Sequence, residues 1–365
     1  MKTSIAVFAA AITLAFAGSR VSAQTPAHVP LSPHEGDFTV KDFKFKSGES
    51  LPELRLHYTT LGTPRRDARG HVVNAVLIMH GTGGDGHQFE RPQFADVLFA
   101  PGGLLDPAKY FIILPDDIGH GKSSKPSDGL HARFPHYDYD DMVEGEYLLV
   151  AKGLGVDHLR LVMGTSMGCM HSFLWGEQHP TMMDALMPLA CEPTQIAGRN
   201  RIWRKMVIDA ITQDLAWKGG DYTVEPREAL RAASNLLMIA GSAPLPWQIA
   251  YPTRDAADAD LATFTDHELK TLDANDLLYQ VASSRNYDPS AALESIVAPV
   301  MWVNSADDFI NPPNLGIAEP LAARIKHVRY VVIPATAQTH GHGTHTWAAI
   351  WQGYMKELLE STQPR

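Results

Sequence analysis

Cysteine is scarce: the 365-residue chain has two, Cys169 and Cys191, and no Cys-x-x-Cys pair. A disulfide-dense scaffold is therefore excluded, as is a cysteine set spaced for zinc or dithiol redox chemistry. Both cysteines lie in stretches expected to be buried, where a free cysteine packs as a small hydrophobe, although an oxidising compartment would let them pair. Runs rich in lysine and arginine are also missing. With a formal net charge of -10 the chain offers no basic stripe, which argues against nucleic acid or an anionic membrane surface as a partner. No apolar run is long enough for a bilayer: Ile5 to Ala17 falls short of the roughly 20 residues that a span requires. Neither a repeat nor a low-complexity tract breaks the chain beyond a proline-dotted lead-in at 24–33.

The N-terminus instead has the parts of an export signal. Lys2 supplies a positive n-region, Ile5 to Ala17 the apolar h-region, and Val21-Ser22-Ala23 a small-residue cleavage site. The expectation is a signal peptide over 1–23, a mature chain from Gln24, no stable membrane insertion after removal, and a periplasmic or secreted location.

Residues 38–61 alternate apolar and polar, as in FTVKDFKFKSG and LRLHYTTLG, which predicts an antiparallel hairpin with one face on a core. The texture then changes to continuous apolar runs: AVLIMHG, YFIILPD, LRLVMG, ALMPLA, PVMWVNS and RYVVIPA. Such runs suit parallel strands buried on both faces, and helical patterns such as MVEGEYLLVAKGLG and MGCMHSFLWGEQ fall between them. The predicted class is α/β, with a mostly parallel central sheet covered on both faces. Residues 192–295 interrupt the alternation with helical and loop patterns, too long for an unstructured loop, so they are read as an inserted helical lid. The core is thus divided into 24–191 and 296–365. Trp203, Trp217, Trp247 and Met206 of the lid are expected to pack in its interior rather than line a pocket.

One short stretch carries the chemistry. Gly164-Thr165-Ser166-Met167-Gly168 lies between a predicted strand and a predicted helix, the setting that makes G-x-S-x-G informative. Two glycines permit a tight turn that exposes the Ser166 hydroxyl, and the helix that follows aims free N–H groups at the same point. Met167 N–H is one candidate oxyanion donor. The second is Thr82 N–H, in the glycine-dense loop His80-Gly81-Thr82-Gly83-Gly84 after the first apolar run. A serine nucleophile needs a base and an orienting acid, which follow it in chain order as Asp and then His. Asp307 and Asp308 come after PVMWVNS, and His340, His342 and His345 after RYVVIPA, so two aspartates and three histidines compete for one place each. No metal or organic cofactor is implied, because no carboxylate or cysteine cluster accompanies the histidines.

These stretches together resemble the α/β-hydrolase superfamily and, within it, are most similar to the homoserine O-acetyltransferase family. The resemblance runs from LHYTTLGTPRRDARGHVVNAVLIMHGTGGDGH through GTSMGCM, IDAITQDLAWKGGDY and DANDLLYQ to SADDFINPP and GHG. It implies an α/β-hydrolase fold and a triad of Ser166, Asp308 and His342, selecting Asp308 by the Asp-x-apolar-x-Pro pattern and His342 by the terminal Gly-His pair. It also allows a homodimer joined through the lid helices. Two departures shift the expected reaction. Gly343 stands where the family's acetyltransferases have an aspartate that helps hold the amino acid substrate, and acetyl-CoA is a cytoplasmic metabolite that an exported enzyme would rarely meet. The expectation is therefore a serine esterase that cleaves a small or medium acyl ester with water as acceptor. The alternative is an O-acyltransferase that passes the acyl group to another acceptor.

Overall fold

The computed structural model describes residues 28–364; the signal peptide expected over 1–23 lies outside the described residues. Strands β1 (His34–Lys44) and β2 (Ser50–Leu61) form the expected hairpin, pairing antiparallel with Phe43 opposite Leu51. Six strands follow among the described residues, five of them fully buried, β3 (Ala75–Met79), β4 (Phe111–Pro115), β5 (Leu161–Thr165), β6 (Leu186–Leu189) and β7 (Val300–Ser305), and an edge strand, β8 (Val328–Ile333), that is partly buried. They join the hairpin in one eight-stranded sheet of order β1-β2-β4-β3-β5-β6-β7-β8, antiparallel at β1–β2 and β2–β4 and parallel elsewhere.

Among the described residues there are ten α-helices, some on the faces of the sheet and some in the insertion: α1 (Pro92–Leu98), α2 (Tyr139–Leu148), α3 (Met167–Gln178), α4 (Gly198–Thr212), α5 (Arg227–Gly241), α6 (Pro244–Ala250), α7 (Arg254–Thr271), α8 (Ala274–Ala282), α9 (Ala318–Ala322) and α10 (Ala348–Ser361). Because side chains alternate across a strand, each continuous apolar run feeds two cores. In β3, Leu77 and Met79 join Met142 and Val143 of α2 and Phe173 and Trp175 of α3. Val76 and Ile78 instead join Phe94 and Leu98 of α1 and Trp351 and Met355 of α10.

Helices α4 to α8 all lie between β6 and β7. Helix α8 ties this insertion to the loops above the sheet. Its Asp273 side chain caps the helix by accepting from the N–H groups of Asn275 and Asp276. Asp276 accepts from the N–H and hydroxyl of Ser127, Tyr279 donates to the Phe134 carbonyl and Gln280 to the Gly119 carbonyl. Trp203 is buried and Trp217 packs against the core, its indole N–H donating to Asn275. The expectation for Met206 is corrected: it is half exposed, on the outer side of α4, because an amphipathic reading of one helix does not reveal which face the next helix covers.

The cysteines do not pack as free thiols. Cys169 in the first turn of α3 and Cys191 just past β6 form a disulfide, with a Cα–Cα distance of 5.8 Å. Parallel pairing of β5 with β6 brings the start of α3 beside the end of β6, a proximity that a separation of 22 residues does not announce. Closing a loop of this length should stabilise the fold by about 3 kcal/mol. We expect the Cys169→Ser, Cys191→Ser double variant to lose roughly that much in denaturant titration.

Candidate active site

The turn at Ser166 is built by close packing. A Cβ at Gly164 would stand 2.1 Å from the Gly168 carbonyl oxygen, and one at Gly168 would stand 2.1 Å from the Met79 carbonyl oxygen. Only glycine lets β3, β5 and α3 converge this tightly. Ser166 itself adopts φ 55° and ψ -106°, a strained conformation for a residue with a side chain, held by its N–H bond to the Leu189 carbonyl at 2.9 Å.

The structure brings Ser166, His342 and Asp308 together. The Ser166 hydroxyl donates to His342 Nε2 at 2.8 Å, and His342 Nδ1–H donates to Asp308 Oδ2 at 2.8 Å. All three residues are buried. Asp308 Oδ1 accepts from the N–H groups of Ile310 at 2.7 Å and Asn311 at 3.1 Å. Burial alone would raise the Asp308 carboxyl; the His342 charge and hydrogen bond, with the two backbone N–H donors, more than offset this and hold it below its ordinary value. The carboxylate is thus available to orient the imidazole.

The competing residues have other places. Asp307 accepts from the hydroxyls of Ser305 and Thr339 and from the Gly341 N–H, so it fixes the loop that carries His342. His340 stacks on Trp347 with ring centroids 4.0 Å apart. His345 lies half-buried and edge-on to His342 at 5.2 Å, and desolvation followed by the His342 charge pushes it down to about 3, so it remains neutral.

Met167 is the first residue of α3, where a helix has no acceptor of its own for the N–H. The glycine loop lies against Ser166: a Cβ on Gly81 would stand 3.3 Å from the Ser166 Cβ, which places Thr82 one residue further on. The Gly84 N–H closes that loop on the Gly81 carbonyl at 2.9 Å.

Several positioning side chains escaped the sequence reading. Gln88 accepts from the Gly81 N–H and donates to the Thr165 hydroxyl, bridging the glycine loop to the residue before Ser166. Asn311 donates to the Ala190 carbonyl and so joins the acid's loop to the end of β6. Glu192 accepts from Asn304, and burial, then the charges of Asp308 and Glu319, raises its carboxyl to about 8. It stays protonated near neutral pH, which avoids a second anion beside Asp308. Of these, only Asn311 carried a signal, three residues from Asp308; the others depend on strand order. A cavity of about 460 Å³ opens between the start of α4 and the loop after β7, lined in part by Arg199, Ile310 and Leu315.

The fold that carries this serine, histidine and aspartate is that of one class of protein, which the comparison with known families shows. The chain belongs to the alpha/beta hydrolase fold family, whose profile matches residues 74–338. Within that family it stands near the homoserine O-acetyltransferases. It is 29% identical to a probable acyltransferase of Methanothermobacter thermautotrophicus over 81% of this chain and 89% of the relative. Homoserine O-acetyltransferase from Bacillus anthracis superimposes with a TM-score of 0.78 at 22% identity, covering 90% of this chain and 97% of that one. An acetylester hydrolase from Corynebacterium glutamicum does so with a TM-score of 0.76 at 23% identity, covering 90% and 95%. Both chemistries, transfer to a hydroxyl and transfer to water, are therefore found on this fold.

Proposed function

We propose that the protein is an exported serine hydrolase that cleaves an ester of a small or medium acyl group. The observation that carries this reading is the unbroken chain of hydrogen bonds from Ser166 through His342 to Asp308. In this reading Ser166 attacks the ester carbonyl while His342 Nε2 takes its proton; the same proton then passes to the departing alcohol. Asp308 keeps the imidazole in the tautomer with Nδ1 protonated and stabilises the imidazolium. The N–H groups of Thr82 and Met167 bind the oxyanion. Water, deprotonated by His342, releases the acid and restores Ser166.

Two features support water as the acceptor. Gly343 leaves the position after the histidine without a carboxylate, and the N-terminal segment has the composition of an export signal. The buried Cys169–Cys191 disulfide suits an oxidising compartment and supports the periplasmic or secreted location. The similarity to a probable acyltransferase favours a second reading, in which the acyl-enzyme is discharged to a hydroxyl or amine. Incubation with p-nitrophenyl acetate and butyrate, without and with added acyl acceptors, separates the two. The hydrolase reading expects free acid as the main product in every condition, measured by mass spectrometry; acyl transfer that outcompetes water overturns it.

A further inference from the structure

Directly beneath the nucleophile turn, on the α2 side of the sheet, lies a set of ionisable side chains that the proposed chemistry does not use. Asp117 follows β4, Glu146 is on α2 and His171 is on α3, five residues beyond Ser166. All three are buried, and one donor atom from each lies within 4.8 Å of the others. His171 Nδ1 is 2.8 Å from Glu146 Oε1 and 3.7 Å from Asp117 Oδ2. The second Glu146 oxygen accepts from the Trp175 indole N–H at 2.5 Å, an outer contact of the kind that orients a ligating carboxylate.

The Asp117 side chain is the anomaly. Neither of its carboxyl oxygens accepts from an N–H or hydroxyl donor, although the residue is 2% exposed; its side-chain neighbour at hydrogen-bonding range is the Glu146 carboxyl. Among the described residues no lysine or arginine forms an ion pair with Asp117 or Glu146. His80 supplies no proton either. Its Nδ1–H donates to the Gly81 carbonyl, and its Nε2 accepts from the Asp117 backbone N–H, so a lone pair faces Asp117 Oδ2 at 3.5 Å. Two buried carboxyl groups whose basic neighbours are histidines alone are costly, and a buried acceptor without an N–H or hydroxyl donor adds to that cost.

We propose that Asp117, Glu146 and His171 bind a divalent transition-metal ion, with zinc the first candidate. Two carboxylate oxygens and one imidazole nitrogen form a donor set that suits zinc, and the dication balances both carboxylates. The ion engages the orphaned Asp117 oxygens. It joins the loop after β4, α2 and the nucleophile-bearing α3 at one point, a structural role away from the reacting atoms. A small packing void lined by Leu56, Asp117, Met142 and Glu146 adjoins the cluster.

The test uses the mature protein without a histidine tag, purified from cells grown with zinc and analysed by inductively coupled plasma mass spectrometry. The expected result is about one zinc per chain in wild type, lost in Glu146→Gln and in His171→Phe. After chelator treatment, added zinc should raise the thermal midpoint of wild type and leave both variants unmoved. A wild type that holds neither zinc nor manganese and shows no midpoint shift overturns the proposal, leaving a shared proton or water in the cluster. Equal metal in wild type and both variants also overturns it, by placing the ion elsewhere. Should the variants not fold, the wild-type measurements alone decide.

Discussion

Ser166→Ala is expected to lower kcat on the order of a million-fold while leaving the thermal unfolding transition close to that of wild type. The size follows from the way the three side chains depend on one another: without the hydroxyl, His342 has no proton to take and Asp308 no imidazolium to stabilise. The change also relieves no packing. Ser166 is held by its backbone N–H and by the glycines on either side, so removal of one oxygen leaves the turn in place. Any residual rate over uncatalysed hydrolysis, on the order of a thousand-fold, would come from the oxyanion donors and binding alone. Steady-state kinetics with p-nitrophenyl butyrate, alongside a melting curve, reads both parts of the expectation.

Asp308→Asn should reduce kcat by about ten-thousand-fold with little change in KM. The amide is nearly isosteric, and its oxygen can still accept from Ile310 and Asn311. Its NH2 group, however, would face His342 Nδ1, and a donor there favours the tautomer with the proton on Nε2. That nitrogen could then no longer accept the Ser166 proton. Asp307→Asn makes the contrast. Asp307 holds the loop of His342 from outside through Thr339 and Gly341, so its loss should show as a modest kcat decrease with a lowered thermal midpoint. A result in which Asp307→Asn is the more damaging of the two would reverse the assignment.

Much of the fold was legible because the chemistry of burial writes itself into strands. A strand with helices on both faces is apolar along most of its length, and each of the six apolar runs overlaps one of the strands β3 to β8. Strand order was not legible. The placement of β4 between β2 and β3 comes from packing among distant segments, and no residue in AVLIM or FIILP encodes it locally. The same blindness hid the Cys169–Cys191 bond, whose partners meet only because β5 and β6 are neighbours. It also hid the Asp117–Glu146–His171 cluster, which draws one residue from each of three separate elements.

The nucleophile turn was the clearest part of the site, since a local glycine pattern and a change of periodicity point to one residue. The acid and the histidine were not settled by pattern. Adjacent aspartates and three closely spaced histidines are equivalent in composition, and the family resemblance made the choice. Geometry supplies the physical reason: Asp308 alone faces His342, while Asp307 turns toward Thr339 and Gly341. Met206 shows the opposite limit, since its exposure depends on which helices of the insertion cover α4.

The central claim is that Ser166 carries the acyl group. The most direct measurement is mass spectrometry of the intact protein, quenched in acid within milliseconds of mixing with p-nitrophenyl acetate, followed by peptide mapping. The account predicts a transient gain of one acetyl group, located on the peptide that contains Ser166 and absent from Ser166→Ala. An acetyl group on any other residue, or full turnover by Ser166→Ala, would contradict it.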